Sequence, residues 1–271
     1  MRVALIGCGA MGRVIAKAIL AQEIPGIQLA AVAEVRPSKE VQRMSATEGF
    51  PLVEEPESVL KFSPDLIIEA AEQEVVRRYI PMFLKAKKDV LIMSIGALAN
   101  TDLLHEILDL ARSQGVKIIV PSGAIGGLDA IKSANTRKLT EVTIRTTKPP
   151  EALEGAPFIV RNKIDLKSIT SQTQIYEGSA NDAAREFPKN TNVTVALSLA
   201  GIGPEKTRVI VIVDPAACRN THEIIAKGDF GEAVFTVSGL PSPDNPKTSY
   251  LASLSVIATL RKLMDALQVG T

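Results

Sequence analysis

Short apolar blocks recur at regular intervals through the first half of the chain. Arg2–Ile6, Ile27–Val35, Leu66–Glu69, Asp89–Met93 and Val116–Val120 are rich in aliphatic side chains with little polar alternation. Such runs mark strands buried on both faces, as in a parallel sheet. Between them, Gly12–Leu20, Ser38–Thr47, Pro56–Lys61, Gln73–Lys87 and Asp102–Gln114 place their apolar residues at helical spacing. Thr101 offers an N-cap for the last of these. Strand and helix in strict alternation predict a doubly wound parallel α/β sheet.

The pattern changes after Pro121, where Ser122-Gly123-Ala124-Ile125-Gly126-Gly127 interrupts it. Strand candidates follow at Leu139–Thr147, Pro157–Val160 and Thr173–Glu177, then helices at Ala180–Phe187 and Asn192–Ala200. Strands at Arg208–Val213, Thr221–Ala226 and Glu232–Ser238 complete a second, α+β domain with a mixed sheet. The run Ser249–Leu267 has helical spacing and is expected to return to the first domain. The expected organisation is therefore a first domain over 1–121, a second over 122–247 and a C-terminal helix over 248–271.

Composition narrows the class of protein. The chain has 271 residues, 46% of them hydrophobic, enough for a full core without staples. Its 31 basic and 30 acidic residues nearly cancel, so no global field favours nucleic acid or an anionic membrane. Tryptophan is absent and aromatics are few, which argues against base-stacking surfaces. Two distant cysteines, Cys8 and Cys218, suggest no disulfide framework and a reducing, cytoplasmic setting. Only two histidines accompany them, so no metal site is expected. No stretch approaches the ~18 apolar residues of a membrane span. The N-terminus enters a strand at once and leaves no room for a signal peptide.

The loop after the first strand carries the first chemical signal. Gly7-Cys8-Gly9-Ala10-Met11-Gly12 is G-x-G-x-x-G between a strand and a helix. Gly7 permits the turn, Gly9 lets backbone approach a pyrophosphate, and Gly12 lets helix and strand pack closely. Ala10 and Met11 belong to the same cofactor-binding loop, and the helix that follows would point its N-terminal amides and positive dipole end at the phosphates. Glu34 follows the second strand, 22 residues beyond Gly12, where a carboxylate can accept hydrogen bonds from an adenosine ribose. These features predict a Rossmann domain that binds NAD. Arg36 and Lys39 lie just beyond Glu34 and offer a cation for the 2′-phosphate of NADP, so dual use is expected.

Proton chemistry has few candidates. His105 sits amid apolar neighbours in a helical run and reads as a helix-face residue. His222 follows a loop-like stretch after an apolar strand; it can be structural or a proton carrier near neutrality. Asn190 and Asn192 flank a helix start, where Asn192 can cap the helix or bond a carboxamide. Lys247, Thr248 and Ser249 precede the last helix, and a lysine beside a helix N-terminus can receive a substrate carboxylate. Lys148 is a second cationic candidate. For either lysine a solvated side chain is the plain alternative.

Several stretches together resemble the L-aspartate dehydrogenase family. They are Gly7 to Gly12, Glu69-Ala70-Ala71, Ser94 to Ala99, Pro121 to Asp129, and Thr147-Lys148-Pro149-Pro150. They continue through Tyr176 to Ala180, Phe187 to Val193, Asp214-Pro215, Asn220-Thr221-His222-Glu223-Ile224, and Asn245 to Ser249. The resemblance implies oxidation of L-aspartate by NAD or NADP to iminoaspartate, which hydrolyses to oxaloacetate and ammonia or feeds NAD biosynthesis. It implies that His222 is catalytic, that Ala124 and Asn192 contact the cofactor, and that the chain forms a homodimer through the sheet of its second domain. Two positions depart from the family pattern: Thr147, where arginine is frequent, and Thr194, where alanine is common. Other substrates, such as another amino acid or a cyclic imine, and a cofactor-binding regulator without turnover, remain alternatives on fold alone.

Overall fold

The computed structural model describes residues 1–188, 191–242 and 245–271, with the backbone alone for 245–248. Two compact units are present. One comprises Met1–Pro121 with Ala252–Gln268, the other Ser122–Leu251 with Val269–Thr271.

The first unit is built on β1 (Arg2–Ile6), β2 (Gln28–Ala33), β3 (Leu52–Val53), β4 (Leu66–Glu69), β5 (Asp89–Ile92) and β6 (Ile118–Ile119). All pair in parallel, in the order β3-β2-β1-β4-β5-β6. This is the doubly wound dinucleotide-binding order, and ligands lie at the carboxyl ends of its strands where that order reverses. Helices α1 (Ala10–Leu20), α2 (Lys39–Glu48), α3 (Gln73–Lys85) and α4 (Thr101–Gln114) connect the strands. Val3, Leu5, Ile15, Ile19, Leu66, Ile68 and Leu91 form the core beside α1, joined by Val256, Ile257 and Leu260 from near the C-terminus.

The second unit opens with α5 (Leu128–Ala134), a helix that the punctuating Gly126-Gly127 hides in the sequence. Its sheet contains β7 (Leu139–Lys148), β8 (Thr173–Ser179), β9 (Arg208–Val213), β10 (Asn220–Gly228) and β11 (Gly231–Gly239). The order is β11-β10-β7-β9-β8, with β7 and β9 parallel and the other pairs antiparallel. Three further helices belong here: α6 (Pro157–Arg161), α7 (Ala180–Glu186) and α8 (Asn192–Ala200). Strand alternation aims Val142, Ile144, Val209, Val211, Ile224 and Ala226 into one core, with Ala180, Ala183 and Leu197 from α7 and α8. A hairpin of β12 (Pro241–Ser242) and β13 (Asn245–Ser249) precedes α9 (Tyr250–Met264).

Both sheets have the class expected from the sequence, and the differences are local. Pro157–Val160 is not a strand but the start of α6. Proline at the first helical position loses no hydrogen bond there, and this outweighs the β-branched content. Pro56–Lys61 falls in a 3-10 helix, Pro56–Phe62, rather than an α-helix. The cap of α4 is Asn100, whose Oδ1 accepts from Leu103 N at 2.8 Å, so Thr101 is already the first helical residue. Among the described residues, no helix is long and apolar enough to cross a membrane.

Candidate active site

The glycine loop of the first unit is a cradle open to a ligand. Gly7 has φ +88° and donates its N–H to Ala33 O at 2.8 Å. A Cβ there would lie 2.8 Å from both Ala70 O and Ala71 Cβ. At Gly12 a Cβ would meet Gly7 O at 2.2 Å, so glycine is required where α1 crosses the turn. Gly9 differs: a Cβ at that position has nothing within 4 Å. The open space lies beside the N-terminus of α1, which begins at Ala10 and Met11 and favours phosphate. Glu34 leans over the same loop. Its Oε2 accepts from Cys8 N at 2.7 Å and its Oε1 from Arg36 N at 3.3 Å. Arg36 itself is exposed. A tight loop, an open approach at Gly9 and a carboxylate after β2 together fit a dinucleotide. Cys8 is a packing residue, since burial pushes its thiol up to about 11.

Next to this loop is a residue to which the sequence reading gave no role. Glu69, at the carboxyl end of β4, is fully buried. Its Oε1 accepts from Ala71 N at 2.9 Å and from Ser94 Oγ at 2.8 Å, while its Oε2 accepts from Ser94 N at 2.9 Å. Burial raises its carboxyl above the usual range, and the Ser94 and Ala71 hydrogen bonds oppose that shift. One side chain thereby ties the segments that follow β4 and β5. The signal available in the sequence was a carboxylate closing the otherwise aliphatic run Leu66-Ile67-Ile68.

The second unit gathers the titratable groups. His222 lies on β10 directly opposite Thr146 of β7, and its Nδ1 is 3.0 Å from Thr146 Oγ1. It is 6% exposed. Burial, aided by the charge of Lys148, pushes the imidazole down to about 3, so the ring is neutral at physiological pH. Lys148 follows Thr146 by two residues, on the same face of β7, and is also buried. Burial lowers its ammonium to about 8. A recess of about 290 Å³, counting its open mouth, is lined by Thr146, Lys148, Phe187, Thr191 and Thr194 among others. Thr194, one of the two departures from the family pattern, thus faces the same space as Lys148.

Neighbouring elements bring further sequence-chosen residues to this end of the sheet. Ala124 is buried in the loop before α5. Around it, a Cβ on Gly123 would touch Val193 Cγ1 at 4.0 Å, and one on Gly126 would touch Val237 Cγ2 at 3.7 Å. Val193 follows Asn192, and Val237 is the cross-strand partner of His222. The loop therefore bridges the start of α8 and β11, the neighbour of the histidine strand. Asn192 is the first residue of α8 and not its cap; Thr191 holds that position. Ser249 pairs with Pro241, and its Oγ would lie 3.0 Å from a Cβ on Gly239, at the end of β11. Asn190 and the side chains of Lys247 and Thr248 lie outside the described residues. His105 sits on α4, in the first unit.

The chain has extensive likeness to known proteins. The pattern of the family described as "Aspartate dehydrogenase, C-terminal" matches residues 129–263. That described as "Homoserine dehydrogenase, NAD binding domain" matches residues 7–121. The L-aspartate dehydrogenase of Methanococcoides burtonii is 44% identical over the whole of both chains. That of Methanosarcina acetivorans is 42% identical, again over the full length of each. Among solved structures, aspartate dehydrogenase from Thermotoga maritima superposes with a TM-score of 0.77. It shares 26% identity, covering 100% of this chain and 99% of that one.

Proposed function

We infer the activity from membership: this chain belongs to the aspartate dehydrogenase family, and it oxidises the CH–NH2 group of L-aspartate with a nicotinamide cofactor. The product, iminoaspartate, hydrolyses to oxaloacetate and ammonia or is consumed in NAD biosynthesis. The observation that carries the chemistry is the neutral, buried His222 bonded to Thr146.

The two units divide the work. In the first, the backbone from Gly7 to Gly12 and the N-terminus of α1 hold the pyrophosphate, and Glu34 holds the adenosine ribose. Ala124 and Asn192 of the second unit contact the cofactor. When bound, the nicotinamide supplies the acceptor for the substrate's Cα hydride. His222 supplies the proton acceptor. With Nδ1–H donated to Thr146 Oγ1, Nε2 presents a lone pair to the substrate amine. The ammonium must give up one proton before Cα–H can leave with its electron pair, and a neutral imidazole can take it. Ser249, with Asn190, Lys247 and Thr248, borders the substrate.

Both NAD and NADP serve, because Glu34 suits a free ribose and Arg36 can turn to a 2′-phosphate. The protein works in the cytoplasm as a homodimer. Support for the dimer comes from the sheet face of the second unit that points away from its core, where Ile212, Ile225 and Val234 lie among polar side chains and Val234 is 54% exposed. The test of function is NAD(P)H formation, followed by absorbance, across a panel of amino acids at alkaline pH. L-aspartate should exceed alanine and glutamate by at least about tenfold in kcat/KM; parity among them would sink the substrate assignment.

A further inference from the structure

The mechanism above leaves one buried carboxylate unused. Glu69 closes β4 fully buried, at a position that an aliphatic side chain would fill without losing hydration. Donors offset that loss. Ala71 N–H and Ser94 Oγ–H reach its Oε1, at 2.9 and 2.8 Å, and Ser94 N–H reaches its Oε2 at 2.9 Å. Ser94 shows that the arrangement is more than a packing accident. It stands at the N-cap of the 3-10 helix Ile95–Ala99, where a serine hydroxyl ordinarily accepts from the helix backbone. Here the hydroxyl makes no such bond and is given to Glu69. Ala71 repeats the pattern: the residue is exposed, yet its N–H turns inward to the same carboxylate.

Both segments held in this way lie on one side of the point where the sheet order reverses. That point falls between β1 and β4, and a dinucleotide lies across it with one mononucleotide half on each side. The adenosine side has fixings of its own: Gly7 N–H donates to Ala33 O, and Glu34 accepts from Cys8 N–H. Glu69 serves the other side, where Ala70-Ala71 follows β4 and the Ile95–Ala99 helix follows β5. A Cβ on Gly7 would lie 2.8 Å from both Ala70 O and Ala71 Cβ, so this segment is the wall on which the phosphate loop abuts.

We propose that Glu69 is a positioning residue for the nicotinamide half of the cofactor: its carboxylate clamps the chain after β4 to the chain after β5 and so shapes the surface on which that half rests. The assignment rests on the dinucleotide reading above. A carboxylate suits the task because both of its ends accept. A glutamine of the same shape would turn its N–H2 towards one set of donors, and one segment would come free.

Two ligands separate the halves. ADP carries the adenosine and pyrophosphate alone, and NADH adds the nicotinamide half. Glu69→Gln should weaken NADH, read by fluorescence, by at least about tenfold, and Ser94→Ala, which removes one hydroxyl, by about fivefold. ADP, read by calorimetry, should stay within about twofold of wild type in both variants, because its contacts lie on separate fixings. A general weakening of the first unit would move both ligands together. An NADH loss that exceeds the ADP loss by less than about threefold in either folded variant would therefore overturn the assignment. If Glu69→Gln fails to fold, Ser94→Ala decides by the same ratio. Wild-type protein that binds NADH while the variants show no such split would sink the role of Glu69 and leave the dinucleotide reading standing. Wild-type protein that binds no NADH would end both.

Discussion

Replacing His222 by glutamine tests the buried imidazole through two independent readouts. The ring is 6% exposed, and burial pushes it from an ordinary 6.5 down to about 3. Between those values the unfolded chain holds a proton that the folded chain does not. Protons therefore favour the unfolded state, and stability falls as pH drops below 6.5. The slope approaches about 1.4 kcal/mol per pH unit below 6.5, so on the order of 2 kcal/mol is lost between pH 6.5 and 4.5 from this residue alone. That is a sizeable share of the ~5–15 kcal/mol typical of a domain. Carboxylates titrate over the same range, but they are common to wild type and variant and cancel in the difference. Hydrogen exchange of peptides covering 208–228 reports on the second unit by itself, without assuming that both units unfold together. Wild type should lose protection steeply from pH 6.5 to 4.5, after correction for the intrinsic exchange rate, and His222→Gln should lose much less. Parallel slopes would refute the buried neutral ring. Turnover gives the second readout: loss of a general base costs about 10²–10⁴-fold, and activity within about threefold of wild type would take His222 out of the mechanism.

Two further predictions concern the first unit. In Gly12→Ala the new Cβ would meet the backbone oxygen of Gly7 at 2.2 Å, and a main-chain atom cannot swing away. The thermal midpoint of this unit should fall by the equivalent of about 1–3 kcal/mol. NADH binding, read by fluorescence, should weaken at least about tenfold; unchanged binding would mean that the turn is not the cofactor cradle. Arg36→Ala should raise KM for NADP much more than for NAD, and Glu34→Ala the reverse. Equal effects of Arg36→Ala on both cofactors would end its assignment to the 2′-phosphate.

The first sheet was legible because a parallel strand covered on both sides must be aliphatic at every position. Leu66-Ile67-Ile68 and Val90-Leu91-Ile92 announce themselves, and each is fully buried or nearly so. The second unit was harder to read. Its strands alternate, and its short helices fall below the length at which periodicity is visible. The Pro-Phe-Ile-Val of α6 has the composition of a strand, yet tertiary contacts hold it. Phe158 packs edge-on against Tyr176 at 5.1 Å and beside Phe187 at 5.6 Å, an aromatic cluster from three separated segments. No local pattern contains that information.

The site residues have a signal of their own, and it differs from a motif. Along β7 the core-facing series runs Val142, Ile144, Thr146, Lys148, all buried. Along β10 it runs His222, Ile224, Ala226. Along β4 the buried run Leu66-Ile67-Ile68 ends in Glu69. In each case the burial continues to the strand end while the chemistry changes from apolar to ionisable. A chain optimised for stability alone would end these series with apolar residues, because an ionisable group there costs desolvation that an aliphatic one does not. Thr146, Lys148 and His222 make this break on adjacent strands at paired or neighbouring positions, and so the cost is concentrated on one patch of one sheet. Reading period-two alternation for where polarity intrudes on the buried face would have placed Lys148 beside His222, whereas reading it only for strand content left that lysine with a solvated side chain as its plain alternative.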